Sequence, residues 1–155
     1  MSLEATTIKI NWHRVVLGGL PAGVTLNLSD IAFHWIRLRG DWWFFRALAH
    51  PLEQAAAIAP HIGLHFAFGI AAIWLYAATR PRFGAGPKTA ILVGIAFWVI
   101  GDVLPTLDWA DLLATHPWLQ GASARRWVIA SFVELGEIVL ATLVGAWAYS
   151  EPAAA

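Results

Sequence analysis

Residues 60–79 read PHIGLHFAFGIAAIWLYAAT, twenty positions without one Asp, Glu, Lys or Arg. At about 1.5 Å of rise per residue, a helix of that length covers about 30 Å, the thickness of a bilayer's hydrocarbon core. An uncharged strand would leave its backbone N–H and C=O groups without partners in lipid, so the stretch predicts a transmembrane helix. Three further apolar stretches occur, at about 15–36, 89–110 and 127–149. Together they predict an all-α integral membrane four-helix bundle. The whole chain, 1–155, reads as a single transmembrane domain with spans at about 15–36, 60–79, 89–110 and 127–149.

Composition points the same way. The chain is 59% hydrophobic and 13% charged, about half the charge content of soluble domains. Ten Trp in 155 residues suit a chain with two membrane–water interfaces. Lys+Arg and Asp+Glu balance at 10 each, so there is no basic footprint for nucleic acid. The expected partner is the lipid bilayer, with a partner membrane subunit or a second copy of the chain as further candidates. Cysteine is absent, which excludes disulfides, thiolate metal sites, Fe–S clusters and cysteine nucleophiles. Ser29, Ser131 and Thr106 stand in no triad context, and Gly84-Ala-Gly86 has no flanking strand for a phosphate loop. No catalytic residue is assigned from the sequence.

The first span is not read as a secretory signal. It is too long for a signal's apolar region, it holds Asn27 and Asp30, and no small-residue cleavage site follows it. Pro21 and Pro105 predict kinks in the first and third helices. The connection from Arg37 to Ala59 contains Gly40-Asp-Trp-Trp-Phe-Phe-Arg46, whose aromatics predict a short helix lying in the interface after span one. Asp111–Arg125, with His116-Pro117-Trp118, reads as irregular. His13, His50 and His116 read as loop or interface residues.

Orientation rests on a narrow argument. The side with the termini carries Lys9, Arg14, Arg80, Arg82 and Lys88, and the other side Arg37, Arg39, Arg46, Arg125 and Arg126. The counts tie. The compact basic turn Arg80–Lys88 favours cytoplasmic termini by the positive-inside rule.

Asp30, Asp102, Glu134 and Glu137 fall inside predicted spans, and His34, His61 and His65 fall in spans or at their ends. A charged carboxylate at the bilayer centre costs roughly 2.5–3.5 kcal/mol on insertion scales. The spacing is informative. Asp30/His34 and His61/His65 are four apart and Glu134/Glu137 three apart, so each pair shares one helix face. Small residues continue those faces: Gly19, Gly23 and Asn27 below Asp30, Gly69 and Ala72 beyond His65, Ala141 and Gly145 beyond Glu137, and Gly94 and Trp98 in line with Asp102. Small residues at this spacing mark close helix packing in membranes, which predicts that the polar groups face the bundle interior.

Depth unites them. Threaded up and down, Asp30, Asp102 and Glu134 each lie about eight residues, or about 12 Å, from the same membrane face. His34 and His65 lie at roughly 6–9 Å by the same rise, and His61 nearer still. The ionisable groups therefore share the half of the bilayer opposite the termini.

Two readings follow. In one, the cluster is a divalent transition-metal site for Zn, Fe or Mn. Its likeliest ligands are His61, His65 and Glu134, with Asp30, His34, Asp102 and Glu137 completing it. A cation would offset the carboxylates. Haem is a lesser alternative, with His34 and His65 as axial ligands. In the other reading the cluster is a hydrogen-bonded structural core of an accessory or assembly subunit, with Arg37, Arg125 or Arg126 reaching inward from the interface.

Asn11-Trp-His-Arg-Val-Val-Leu-Gly-Gly-Leu20, Ile73-Trp-Leu-Tyr-Ala-Ala-Thr-Arg-Pro-Arg-Phe-Gly-Ala-Gly-Pro-Lys-Thr-Ala90 and Leu143-Val-Gly-Ala-Trp-Ala-Tyr149 resemble an uncharacterised family of small four-helix bacterial inner-membrane proteins. The resemblance covers most of the chain and implies four helices and a bacterial inner (plasma) membrane. It implies no activity, carries over no functional residue and does not account for the His61/His65 pair.

Overall fold

Asn11 opens the first helix. Its side-chain oxygen accepts from the Arg14 N–H at 3.2 Å, and its carbonyl accepts from the Val15 N–H at 3.0 Å, which satisfies donors that a helix start otherwise leaves open. The computed structural model describes residues 10–38, 55–107 and 124–149. Four helices make up the described chain. They are α1 (Trp12–Leu38), α2 (Ala55–Phe83), α3 (Pro87–Trp98) and α4 (Ala124–Ala148). Helix α3 continues through a π-helical turn, Val99–Val103, and on to Leu107. The expected interfacial helix in the Arg37–Ala59 connection falls largely on positions outside the described residues, as does the irregular connection before α4.

Within these helices four stretches are long and apolar enough to cross a membrane: Trp12–Phe33, Ala59–Phe83, Pro87–Leu107 and Val128–Ala148. The chain is a multi-pass membrane protein with an all-α, four-helix architecture. Leu17, Leu20, Val24 and Leu28 of α1, Leu92 and Ile95 of α3 and Leu140 and Trp147 of α4 all face outward. Such an apolar exterior is a lipid-facing one.

The helices form a ring. Helix α1 packs on α2 and α4, α4 packs on α3, and α3 closes on α2. Lipid supplies no hydrophobic drive between helices, so close van der Waals contact has to hold them together. Glycine provides it at three seams. A Cβ on Gly69 of α2 would lie 2.6 Å from the Gly19 carbonyl oxygen and 2.6 Å from the Gly23 nitrogen of α1. One on Gly18 would lie 2.7 Å from the Gly145 carbonyl oxygen of α4, and one on Gly94 3.0 Å from the Val139 Cα.

Between α2 and α3 the chain turns in three residues. Gly84 takes a left-handed φ of 86° and its N–H closes on the Arg80 carbonyl at 2.8 Å, the glycine cap expected at a helix end. Pro87 then opens α3, where its missing N–H costs nothing. The Tyr76 hydroxyl accepts from the Gly86 N–H at 3.0 Å, and Thr89 Oγ1 donates to the Gly84 carbonyl at 2.7 Å.

Pro105 shows its effect one turn earlier than itself. Proline has no N–H to offer the carbonyl four residues back and its ring crowds that carbonyl. The helix answers with the π turn, where the Leu104 N–H reaches back five residues to the Val99 carbonyl.

Burial is asymmetric along the bundle axis. The core is Val15, Ala22 and Leu26 of α1, Ala72, Ile73, Tyr76 and Ala77 of α2, Ala90 and Val93 of α3, Ile138 and Ala141 of α4, and Tyr149 just past its end. Among the described residues, nothing on the far side of Leu26, Gly69, Gly94 or Ile138 is fully buried. The half that carries the α2–α3 turn is closely packed. The other half, which holds the polar residues, is open inside.

Candidate metal centre

The open half exists because its inward positions carry polar groups in place of interlocking apolar ones. Asp30 lies two turns beyond Gly23 on α1, and His61 and His65 lie on the same face of α2 as Gly69. The glycine seam brings the two helices close enough for these side chains to meet. His61 Nε2 lies 3.0 Å from Asp30 Oδ2, with 26% of the His61 side chain and 15% of the Asp30 side chain exposed. The His61 and His65 rings have centroids 4.8 Å apart at an angle of 60°.

His65 is held from behind. Its Nδ1 lies 3.2 Å from Asn27 Oδ1. The Asn27 amide nitrogen donates to the Gly23 carbonyl at 2.8 Å and lies 3.5 Å from the Ile62 carbonyl. Those carbonyls can only accept, so the amide oxygen must be the atom that faces His65. The oxygen in turn accepts from Nδ1–H. That network assigns the proton to Nδ1 and leaves a lone pair on Nε2, the arrangement in which an outer hydrogen bond prepares an imidazole for a metal.

Asp30, His61 and His65 each present one ligand atom, and the three atoms all lie within 4.8 Å of one another. Tetrahedral bonds of about 2.0–2.2 Å put ligand atoms about 3.3–3.6 Å apart. The 3.0 Å spacing of His61 and Asp30 lies just under that range. Drawing the set onto one ion would take side-chain rotation that closes the widest spacing, up to 4.8 Å, by about 1 Å or more. An ion there takes the place of the proton now lying between His61 and Asp30.

The trio lines a cavity of about 390 Å³. Phe33, Leu26, Leu64, Phe68 and Ile138 supply apolar walls, and Glu134 and Glu137 of α4 bring two more carboxyls to the lining. One turn before Glu134 on α4 lies a second polar group. Ser131 Oγ donates to Asp102 Oδ2, and Trp98 Nε1 donates to the Ser131 carbonyl at 2.9 Å. Asp102 belongs to the π turn. The extra residue in that turn sets the rotation at which Asp102 meets α4.

The structure thus gathers Asp30, His61 and His65 into one group and places Glu134 and Glu137 on the wall of the same cavity. Asp102 is bonded to Ser131 and is not among the residues that line the cavity. The side chain of His34 lies outside the described residues. Glu134 was expected beside the two histidines, and it is Asp30 that stands there. Sequence reasoning missed two working residues. Asn27 was visible as part of the small and polar stripe of α1, three residues before Asp30, yet nothing in a single sequence marks it as the group that orients His65. Ser131 lies three residues before Glu134 on the same α4 face, and nothing in the sequence signals its bond to Asp102.

No protein-family model matches the chain, and no curated protein or solved structure matches it either.

Proposed function

We propose that the chain is a small inner-membrane metalloprotein that holds one divalent transition ion, Zn, Fe or Mn, through Asp30, His61 and His65. The observation that carries this reading is the spacing of the three ligand atoms within 4.8 Å across the α1–α2 seam. Two imidazoles and a carboxylate are the donor set that such ions favour. Glu134 and Glu137 complete the charge balance from the opposite wall, where a cation turns the mutual repulsion of the carboxylates into attraction. In keeping with the family resemblance, the membrane is a bacterial plasma membrane; the basic turn Arg80–Lys88 puts both termini in the cytoplasm, so the site lies toward the outer face.

Elemental analysis of protein purified in detergent tests this. The expected content is one equivalent of metal per chain, lost on His65→Ala while the protein still inserts. A wild-type chain that carries no metal after purification in metal-containing buffer and takes up none on addition would overturn it.

One observation favours the second reading, an accessory subunit with a structural polar core. Among the described residues every buried side-chain nitrogen and oxygen already has a hydrogen-bond partner without an ion. That reading expects a stoichiometric membrane partner on purification and thermal stability indifferent to chelator.

A further inference from the structure

We propose that the cavity opens sideways into the bilayer between α2 and α3 and binds an amphiphile with a cationic head. The head lies against Glu134 and Glu137, and the hydrocarbon chain leaves through the opening into lipid. This goes beyond the metal reading and does not depend on it.

The opening follows from how the α2–α3 hairpin is held. Its short turn fixes one end through the Tyr76–Gly86 and Thr89–Gly84 bonds. Farther along, the Phe68 and Phe97 rings meet edge to face with centroids 5.4 Å apart. A Cβ on Gly101 would lie 3.0 Å from the Phe68 ring. Past Phe68 the two helices are drawn to different partners. The Gly69 seam holds α2 on α1, while the bond from Ser131 to Asp102 holds the π turn on α4. No Cα of Val99–Val103 comes within 8 Å of a Cα of α2, although both of those other pairs approach that closely.

The cavity reaches this opening. Leu64 and Phe68 of α2 and Gly101 of the π turn all line it. Leu64 is 59% exposed although it belongs to a membrane-spanning stretch, and Gly101 is exposed as well. Ile100 and Leu104, beside Gly101, are exposed and apolar. The mouth therefore lies at membrane depth, has hydrocarbon side chains on both flanks, and has no side chain at Gly101 to fill it. Such an apolar, lipid-facing rim suits a hydrocarbon chain.

Inside, the chemistry changes. A volume of about 390 Å³ lies within the range of small-molecule sites, about 300–1,000 Å³. Helix α4 brings Glu134 and Glu137 to the lining, three residues apart and so on one helix face. Glu137 makes no hydrogen bond or ion pair among the described residues. Asp30 is different, because His61 and a further neighbour already engage it. The charge that selects the head is therefore assigned to the α4 pair alone. Away from bulk water charges are weakly screened. A positive head relieves the repulsion between two carboxylates there, and the phosphate of an ordinary lipid adds to it.

The test uses the full chain in nanodiscs of zwitterionic lipid. Chelator keeps the neighbouring trio free of metal, whose charge would oppose a second cation. Three probes share one chain length and differ in head charge: decyltrimethylammonium, decanol and decanesulfonate. At about 100 times its Kd, the ammonium is expected to raise the thermal midpoint by about 5–11 °C. It should bind at least about 10-fold more tightly than decanol, the worth of one modest charge pair, and the sulfonate more weakly than either. In the double variant Glu134→Gln, Glu137→Gln the ammonium and decanol should bind alike. Gly101→Leu, which fills the mouth, should weaken both. A second measurement reads the opening without a bulky substitution. The chain has no cysteine, so Leu64→Cys supplies a single thiol at the mouth. The ammonium, at about 100 times its Kd, should slow its reaction with a lipid-soluble maleimide at least about 10-fold. Leu92→Cys, on the lipid-facing exterior of the closed half, should react at an unchanged rate. Equal binding of the three probes, an ammonium preference that survives in the double variant, or an unprotected Leu64→Cys overturns the proposal. Because metal is withheld throughout, such a result leaves the metal reading standing.

Discussion

Gly69→Ala should damage the candidate site from four residues beyond His65, while Gly63→Ala, two residues from each histidine, should leave it intact. The contrast comes from what a methyl group meets. At Gly69 the added carbon lies 2.6 Å from both the Gly19 carbonyl oxygen and the Gly23 nitrogen, and 3.1 Å from the Gly23 Cα. Ordinary contact begins near 3.4 Å, so the seam must open by about 0.8 Å. All three atoms are backbone, and no rotamer change relieves the clash. At Gly63 nothing lies within 4 Å. Both substitutions gain roughly 1 kcal/mol of helix propensity, so that term cancels between them. Overpacking costs typically 1–3 kcal/mol, and three backbone collisions argue for the upper end. The expected difference is about 3 kcal/mol. At about 2–4 °C per kcal/mol for a chain of this size, Gly69→Ala should melt about 6–12 °C below Gly63→Ala. Thermal unfolding in detergent, followed by circular dichroism, reads this directly. An opening of 0.8 Å also exceeds what the 3.0 Å His61–Asp30 and 3.2 Å His65–Asn27 contacts tolerate, so zinc binding should weaken in Gly69→Ala and not in Gly63→Ala. Equal melting temperatures for the two variants would refute the glycine-seam argument.

Asn27→Ala removes the acceptor that orients His65, so zinc affinity measured by competition with a chromophoric chelator should fall about 10- to 100-fold, the usual cost of a lost outer partner; unchanged affinity would show that the His65 ring needs no such support. Ser131→Ala leaves the Asp102 carboxyl short of a donor and should cost about 1–3 kcal/mol of stability, whereas Ser131→Thr, which keeps the hydroxyl, should unfold close to wild type. A reporter active only in the cytoplasm, fused after Ala155, should be active, and activity of a periplasm-dependent reporter there would reverse the proposed orientation.

The architecture was readable because lipid imposes a length. Four apolar runs near twenty residues leave little choice, and the spacing of Gly19, Gly23 and Gly69 marked the faces that meet. The ends were less readable. Helix α1 begins at Trp12, before the apolar run of 15–36, and α2 continues to Phe83 through Arg80 and Arg82. Apolar composition measures the hydrocarbon slab, while a helix ends where its backbone bonding ends, here at the left-handed Gly84. Pro105 announced a distortion but not its form. The π turn is a response of backbone geometry, and it places Asp102 at a rotation that α-helical counting does not give. At the site, the i, i+4 histidines and the common depth of the acids pointed to the cavity that Asp30, His61, His65, Glu134 and Glu137 line. Which acid joins the histidines was not readable. It depends on which helices bring their side chains together at the level of the histidines, and a single sequence records no interhelical distance.

The three-residue turn from Gly84 to Gly86 bears on the order in which the molecule comes together. The Tyr76–Gly86 and Thr89–Gly84 bonds link residues ten and five apart in sequence, and contacts that local form quickly because little chain entropy is lost in closing them. Helices α2 and α3 are therefore expected to pair early, as a hairpin closed by its own turn. The cavity has the opposite character. Its lining runs from Leu26 to Ile138 and exists only after the first helix and the last have both reached that hairpin. Its occupancy is thus a record of completed assembly: a chain that stalls before its final helix has its turn in place and no chamber to fill.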